Sequence, residues 1–214
     1  IKSNDKINIF QKEKYYSELT FHYWYWKNLL DLNSNNWVGF CQKRRFWSKS
    51  KINEKKFYST SDVSQHIITE PNNDWKDYEV ILCDPININN AKKTKMIKRG
   101  FRSLVKNPSI FFNPEKQSIK FHFDMHHGYG NLDKAIDLLD DEDKKDFRKF
   151  VNKNISFNPH IMFISKPKII NEWFSRLFRW LENCETIFGF EKLSGYDTQR
   201  LYAYLAERYL SYWF

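Results

Sequence analysis

The chain has little of what would mark several protein classes. Its three cysteines in 214 residues are odd in number and lack metal-ligand spacing. That argues against a disulfide framework and suits a reducing cytoplasm. No apolar run approaches the length of a membrane span, and no signal-peptide pattern opens the chain. Internal repeats and low-complexity linkers are also missing, so residues 1–214 read as a single domain long enough for a sizeable core. Acids are outnumbered, with 26 Asp and Glu against 35 Lys and Arg, for a formal net charge of +9. The excess invites a nucleic-acid reading, but no helix-turn-helix, zinc-finger or RNA-recognition signature accompanies it. Nucleic acid is therefore set aside in favour of anionic substrates or acidic lipid headgroups.

Aromatic residues, by contrast, make up 18% of the chain, and they concentrate between residues 16 and 47. The stretch Ser17-Glu18-Leu19-Thr20-Phe21-His22-Tyr23-Trp24-Tyr25-Trp26-Lys27-Asn28 reads as a helix. Ser17 is placed to cap it and Glu18 to complement its dipole. Leu19, Tyr23, Trp26 and Leu30 recur at helical spacing and are expected to face the core, with His22 or Lys27 at the edge of a site. Residues 33–36 break the helix. Residues 38–41 are short and apolar enough for a buried strand, after which Arg44 and Arg45 emerge where α/β sheets place ligands.

Further along, residues 48–76 read as a polar crossover with a short helix near 62–69. Strand composition returns at 78–83, stopped by Asp84-Pro85. Residues 90–106 predict a basic helix with Met96, Ile97, Phe101, Leu104 and Val105 as its apolar stripe. Its lysines read as a solvated face, with a membrane-surface role as the alternative. Residues 118–125 alternate Ile119, Phe121, Phe123 and Met125 against Lys120, His122 and Asp124, the pattern of a half-buried strand. Short helices are expected at 131–139 and 143–153, and a strand at 155–165 interrupted by Pro159. A helix from Pro167 to about Cys184 turns Ile170, Trp173, Leu177, Trp180 and Leu181 inward. A last helix spans 198–213, with Leu201, Leu205, Tyr209 and Tyr212 inward. Strands alternating with helices argue for an α/β fold with a mostly parallel sheet flanked by helices.

Tyr-Ser-Glu-Leu-Thr at 16–20, Tyr-Trp-x-Trp-Lys-Asn at 23–28 and Gly-Phe-Cys-x-x-Arg-Arg-Phe at 39–46 resemble the signature of a bacterial glycosyltransferase-like family catalogued as a domain of unknown function, DUF4422. The similarity resumes at His122, where it implies a helix start nearby as the alternative to the strand at 118–125, and runs to the last residue. Members occur in capsule and O-antigen (lipopolysaccharide) gene clusters, and some transfer galactofuranose from a UDP-sugar. The resemblance implies a GT-A-like nucleotide-sugar fold, a UDP-sugar donor and a glycan or lipid-linked glycan acceptor. The cysteine usage gives a cytoplasmic setting, with peripheral association at the inner membrane as the alternative that the basic helix and acidic headgroups allow. Relatives open with an additional strand ending in a His-Lys pair, so the domain is expected to lack its N-terminal strand. Most members carry His-Tyr where this chain has Gln42-Lys43, and an Asn where it has Ile161. These departures keep a non-catalytic glycan- or nucleotide-binding module open as the second reading.

A sugar transferase must grip the donor diphosphate, help the leaving group and accept the acceptor proton. Arg44 and Arg45 suit the grip, because a guanidinium clamps phosphate oxygens bidentately; Lys43, Arg200 and Arg208 are further donor-binding candidates. Glu18, Asp124 and Glu207 compete as the catalytic base, although Glu207 also reads as one half of an internal salt bridge with its arginine neighbours. His122, His126, His127 and His160 are candidates for acceptor or sugar contacts. Mn²⁺ or Mg²⁺ is the cofactor to consider, with Asp124, His126 and Asp84 as candidate ligands. Asp141-Glu142-Asp143, the only literal Asp-x-Asp match, reads as a solvated face. Cys41, Cys83 and Cys184 read as core. On this reading the cation pair and the His-Asp cluster border one cleft, with Arg44 or Arg45 facing Asp124 or His126.

Overall fold

The computed structural model describes residues 3–49 and 59–214. Its elements run α1 (Glu13–Tyr16), α2 (Leu19–Asn28), β1 (Val38–Phe40), α3 (Thr60–His66), β2 (Val80–Leu82), β3 (Ile86–Asn87), α4 (Lys93–Lys106), α5 (Ile119–His127), α6 (Asn131–Ile136), α7 (Asp141–Lys153), β4 (Ser156–Phe157), β5 (Phe163–Ser165), α8 (Pro167–Phe188), α9 (Tyr196–Gln199) and α10 (Leu201–Trp213). The short helix foreseen near 62–69 is α3. Residues 50–58 of the polar crossover lie outside the described residues.

Helices dominate, and the sheets are small. One has the order β1-β5-β2 and the other pairs β3 with β4. Every described pairing is antiparallel, which corrects the expectation of a mostly parallel sheet. The physical reason is the insertion of β5. Strands β1 and β2 run in the same direction, but β5 lies between them and pairs with both in the opposite sense: Gly39 faces Ile164 on one side, and Ile81 faces Ile164 on the other. All three residues of β5 are buried. A Cβ on Gly39 would approach Ile164 Cγ1 to 3.2 Å, so this edge of the sheet is closely packed.

The core is aromatic, as composition suggested. Pro167 occupies the first turn of α8, where its missing N–H costs nothing. The inward face of α8 buries Ile170, Trp173, Phe174, Leu177, Phe178, Trp180, Leu181 and Cys184. Helix α10 packs on it, with Tyr209 5.4 Å from Trp173 and 4.9 Å from Trp180, centroid to centroid. Helix α2 closes the other side, Trp26 stacking on Phe178 at 5.7 Å while its indole N–H donates to Asn171 at 2.8 Å.

The faces of α2 differ from the expectation in two places. Leu19 is buried, and Tyr23, Trp26 and Leu30 pack half-buried against the core. His22, offered with Lys27 as the residue at a site edge, is only 1% exposed and lies 4.5 Å from Phe40 and 5.7 Å from Phe174. Lys27 lies 3.4 Å from the Trp26 ring. Ser17 does not cap the helix. It sits at φ +52 at the end of α1, and its carbonyl accepts from the Thr20 hydroxyl.

Residues 118–125 are not the strand that their alternation suggests but follow the helix that the resemblance implies: they belong to α5, capped by Ser118, whose side chain accepts from Phe121 N at 3.3 Å. The alternation of apolar residues is real but has another cause. Ile119 and Phe123 are buried in the main core, whereas Phe121 and Met125 join Met96 and Ile110 in a second cluster. A helix buried on two opposite faces, each with an i, i+4 pair, shows the same period of two as a strand. Gly100 of α4 permits the close approach, since a Cβ there would lie 3.0 Å from the Phe121 ring. In α4, Met96 is buried, but Ile97, Phe101 and Val105 of the expected inward stripe are exposed. Cys41 is exposed and Cys83 half-buried, leaving Cys184 as the core cysteine. Among the described residues no helix is long and apolar enough to cross a membrane.

Candidate functional site

A cavity of about 1050 Å³ opens where the end of β1, the start of α2, the loop before β5 and one face of α10 meet. The backbone after β1 turns back on itself, with Gln42 and Arg45 exchanging N–H···O bonds at 3.2 Å each. That places Lys43 and Arg44 at the tip of a tight turn and Arg45 beside it, all three lining the cavity. Arg200, the residue that precedes α10, and Tyr204 and Glu207 of the helix itself follow at i, i+4 and i+7. Glu18 and His160 complete the wall.

Its electrostatics separate two regions. Among the described residues Lys43, Arg44, Arg45 and Arg200 make no ion pair with the protein, so their charge faces the cavity. The carboxylates are held in place. Glu207 Oε1 accepts the backbone N–H of His160 at 2.5 Å, and Oε2 accepts from Arg208. His160 stands in the left-handed region at φ +68, in the break that Pro159 makes between β4 and β5. Arg208 is 2% exposed, its guanidinium 3.8 Å from the Phe157 ring centre. Glu18 Oε1 accepts from the Gln42 side-chain amide, so Gln42 fixes a site carboxylate. Burial and then the charge of Arg45 push the His160 pKa down, against Glu207 and Glu18, which places these four groups within electrostatic reach of one another.

Of the residues singled out from sequence, Glu18, Lys43, Arg44, Arg45, His160, Arg200 and Glu207 therefore converge. Arg208 lies behind the wall, buried beneath Glu207. The three histidines of α5 form a layer behind α10. His127 stacks on Tyr204 at 3.8 Å and bonds the Asp197 carbonyl at 2.8 Å, and His126 lies 4.6 Å from His122. Burial, reinforced by Arg208, pushes the pKa of His122 to about 2 and that of His127 to about 3. Burial with Lys95 and Arg99 lowers His126 to about 4. All three are neutral near pH 7 and offer no charge to an anion.

Asp124 does not face Arg44 or Arg45, because in a helix it points away from His122 and His126. It borders a different depression, where its carboxylate accepts from Lys120 at 2.7 Å and from Gly130 N at 3.0 Å. The shared cleft foreseen for the cation pair and the His-Asp cluster is thus not formed. Asp84 is exposed at the end of β2, outside the cavity lining. Asp124, His126 and Asp84 therefore do not meet as ligands of one ion, and among the described residues no three His, Cys, Asp or Glu side chains converge as a metal site would require. Asp143 of the literal Asp-x-Asp match is used structurally, accepting from Tyr209 at 2.6 Å and pairing with Arg176 at 3.2 Å. Tyr204 and the Gln42–Glu18 bond were missed from sequence. The spacing Arg200-x₃-Tyr204-x₂-Glu207, one face of a helix, was the signal available for Tyr204.

The family described as "Domain of unknown function (DUF4422)" matches residues 1–214. No curated protein matches the chain. Among solved structures, it is similar to the apo structure of the WbbM bifunctional glycosyltransferase, with a TM-score of 0.69 and 17% identity over 99% of this chain. The chain covers 35% of that structure's length, and a likeness at this identity is one of fold.

Proposed function

The chain belongs to the DUF4422 family, and from that premise we propose that it is a glycosyltransferase. It moves a hexose, galactofuranose being the first to try, from a UDP-sugar to a glycan or lipid-linked glycan acceptor in surface polysaccharide synthesis. The observation that carries this reading is the pairing, in one cavity of about 1050 Å³, of cations that make no ion pair among the described residues and carboxylates already oriented by hydrogen bonds. The volume suits a nucleotide-diphosphate sugar, at the upper end of the range for small-molecule sites.

The chemistry divides among the residues. Arg44, Arg45, Lys43 and Arg200 hold the diphosphate. As the bond between the anomeric carbon and the diphosphate oxygen breaks, the electron pair passes to that oxygen, and the cations stabilise the growing charge. The acceptor hydroxyl oxygen bonds to the anomeric carbon while its proton leaves to a carboxylate. Glu18 is the better base, since among the described residues only its Oε1 is engaged, whereas both oxygens of Glu207 are taken. Glu207 positions His160, whose ring lies beside the sugar. Because the candidate metal ligands do not converge, no step is routed through a metal.

Calorimetric titration with UDP and UDP-sugars tests the reading, followed by assay for UDP release with glycan acceptors. Absence of UDP binding would sink it. The engagement of Glu207 on both oxygens favours a non-catalytic nucleotide- or glycan-binding module as the second reading, and binding without turnover on any acceptor selects that one.

A further inference from the structure

Helix α4 presents an apolar face that nothing in the described structure covers. Its sequence from Lys93 to Lys106 contains six lysines and arginines and no acid. Met96, Gly100 and Ser103 are turned inward against α5. Ile97, Phe101 and Val105, at i, i+4 and i+8, form a second stripe that points outward, 53%, 63% and 63% exposed. Phe112, just beyond the 3₁₀ turn that packs beside α4, is 79% exposed. The stripe is rimmed by Lys93 on one side and by Lys98 and Arg102 on the other, from their positions around the helix.

Most of these cations have no acidic partner, although Lys93 lies 5.3 Å from the Phe111 ring centre and Arg102 5.9 Å from that of Tyr129. Arg99 pairs with Asp197 at 2.8 Å. Among the described residues Lys93, Lys95, Lys98, Arg102 and Lys106 pair with no carboxylate, although Lys106 rests near the Tyr129 ring. An exposed apolar row rimmed by cations is the composition of a helix that lies in the plane of a bilayer interface. A second copy of the chain is the poorer fit, because self-pairing through this face would bring two rows of like charge together.

We propose that the Ile97–Phe101–Val105 face of α4 docks on an anionic bilayer surface, the three side chains entering the headgroup boundary and the rimming cations meeting lipid phosphates. The Arg99–Asp197 bond ties α4 to α9, whose Tyr196 lines the cavity. Docking would therefore set the cavity beside the membrane, where a lipid-linked acceptor is presented. The docking itself does not depend on the chemistry proposed for the cavity.

The test is flotation of the purified protein with vesicles of phosphatidylcholine alone and of phosphatidylcholine mixed with phosphatidylglycerol. The expected result is binding to the mixed vesicles only, weakened by salt. Phe101→Ser should lower that binding about ten-fold, as loss of one inserted aromatic implies, and Lys98→Glu with Arg102→Glu should lower it at least as far. The substituted residues are exposed, so unchanged circular dichroism is expected of both variants. No binding to mixed vesicles at low salt overturns the proposal, as does equal binding by Phe101→Ser. A dimer in sedimentation that Phe101→Ser dissolves also overturns it, since a second copy would then cover the face.

Discussion

Glu207 accepts the backbone N–H of His160 at 2.5 Å, across 47 residues of sequence, and with its other oxygen neutralises the buried Arg208. One carboxylate thus fixes the cavity wall to the core. Burial alone would lower the Arg208 pKa, and Glu207 is the first influence opposing it. Glu207→Gln keeps an oxygen for His160 but leaves a buried guanidinium without a counter-charge. Breaking such a pair from one side costs about 3–5 kcal/mol, to be read as a lowered urea midpoint. Adding Arg208→Met should recover much of the loss, because the uncompensated charge is removed. A Glu207→Gln variant as stable as the parent would show that the ion pair contributes nothing.

Arg45 emerges at the end of the hairpin turn with no protein counter-ion among the described residues. Arg45→Ala is expected to reduce UDP affinity by about ten- to a hundred-fold, the range for one charge-assisted hydrogen bond. Stability should change little, since the side chain is exposed. Calorimetry with UDP checks the first part and thermal denaturation the second. Unchanged UDP affinity would remove the turn from the donor site.

Much of this arrangement was legible beforehand because it is local. The strand before Arg44, the helix starting at Pro167 and the break at Pro159 each follow from short-range rules. What was not legible depends on partners distant in sequence. The alternation in 118–125 carries no mark of whether its two apolar sets face two sheet surfaces or two helix-packing clusters; only Met96, Gly100 and Ile110 decide it. Once α5 is a helix, Asp124 leaves the histidine face, and the shared cleft goes with it. His22, offered with Lys27 for the edge of a site, lies in the core for a similar reason: Phe40, Phe163 and Phe174 surround it. The antiparallel insertion of β5 between β1 and β2 is likewise a matter of pairing, which composition does not encode.

His22, His122 and His127 give the fold a common acid sensitivity. Burial lowers their pKa values from 6.5 to about 4, 2 and 3 respectively. Below pH 6.5 the unfolded chain therefore binds protons that the folded chain does not. Stability is fully present above the unfolded value and falls as pH drops from about 6.5 towards each folded value, at about 1.4 kcal/mol per pH unit for each histidine. Urea denaturation at pH 7 and pH 5 should show this loss. His22→Leu should reduce the slope by about one proton's share, and an unchanged slope would mean that His22 is protonated in the fold.

Glu18 and Asp124 are both carboxylates that accept from a neighbouring side chain, but their surroundings assign them opposite consequences. Glu18 lines the cavity with Oε2 free of protein partners among the described residues, whereas Asp124 is 5% exposed and answers Lys120 and the backbone of Gly130. Glu18→Gln removes the proton acceptor but preserves the shape and the diphosphate grip. UDP affinity should hold, while turnover falls by about a hundred-fold or more, the usual contribution of a general base. Asp124→Asn leaves Lys120 with Asp133 as its carboxylate partner, at 2.8 Å, and weakens the bond that holds Gly130 at φ +78. Its cost should appear in stability, by roughly 1–3 kcal/mol for a buried charge-assisted bond, and UDP affinity should be unaffected. Measuring turnover, UDP binding and urea midpoints for both variants separates the two roles. If Asp124→Asn abolished turnover at unchanged stability while Glu18→Gln remained active, the base would belong to the α5 side of the molecule, and the cavity beside Arg45 would only hold the nucleotide.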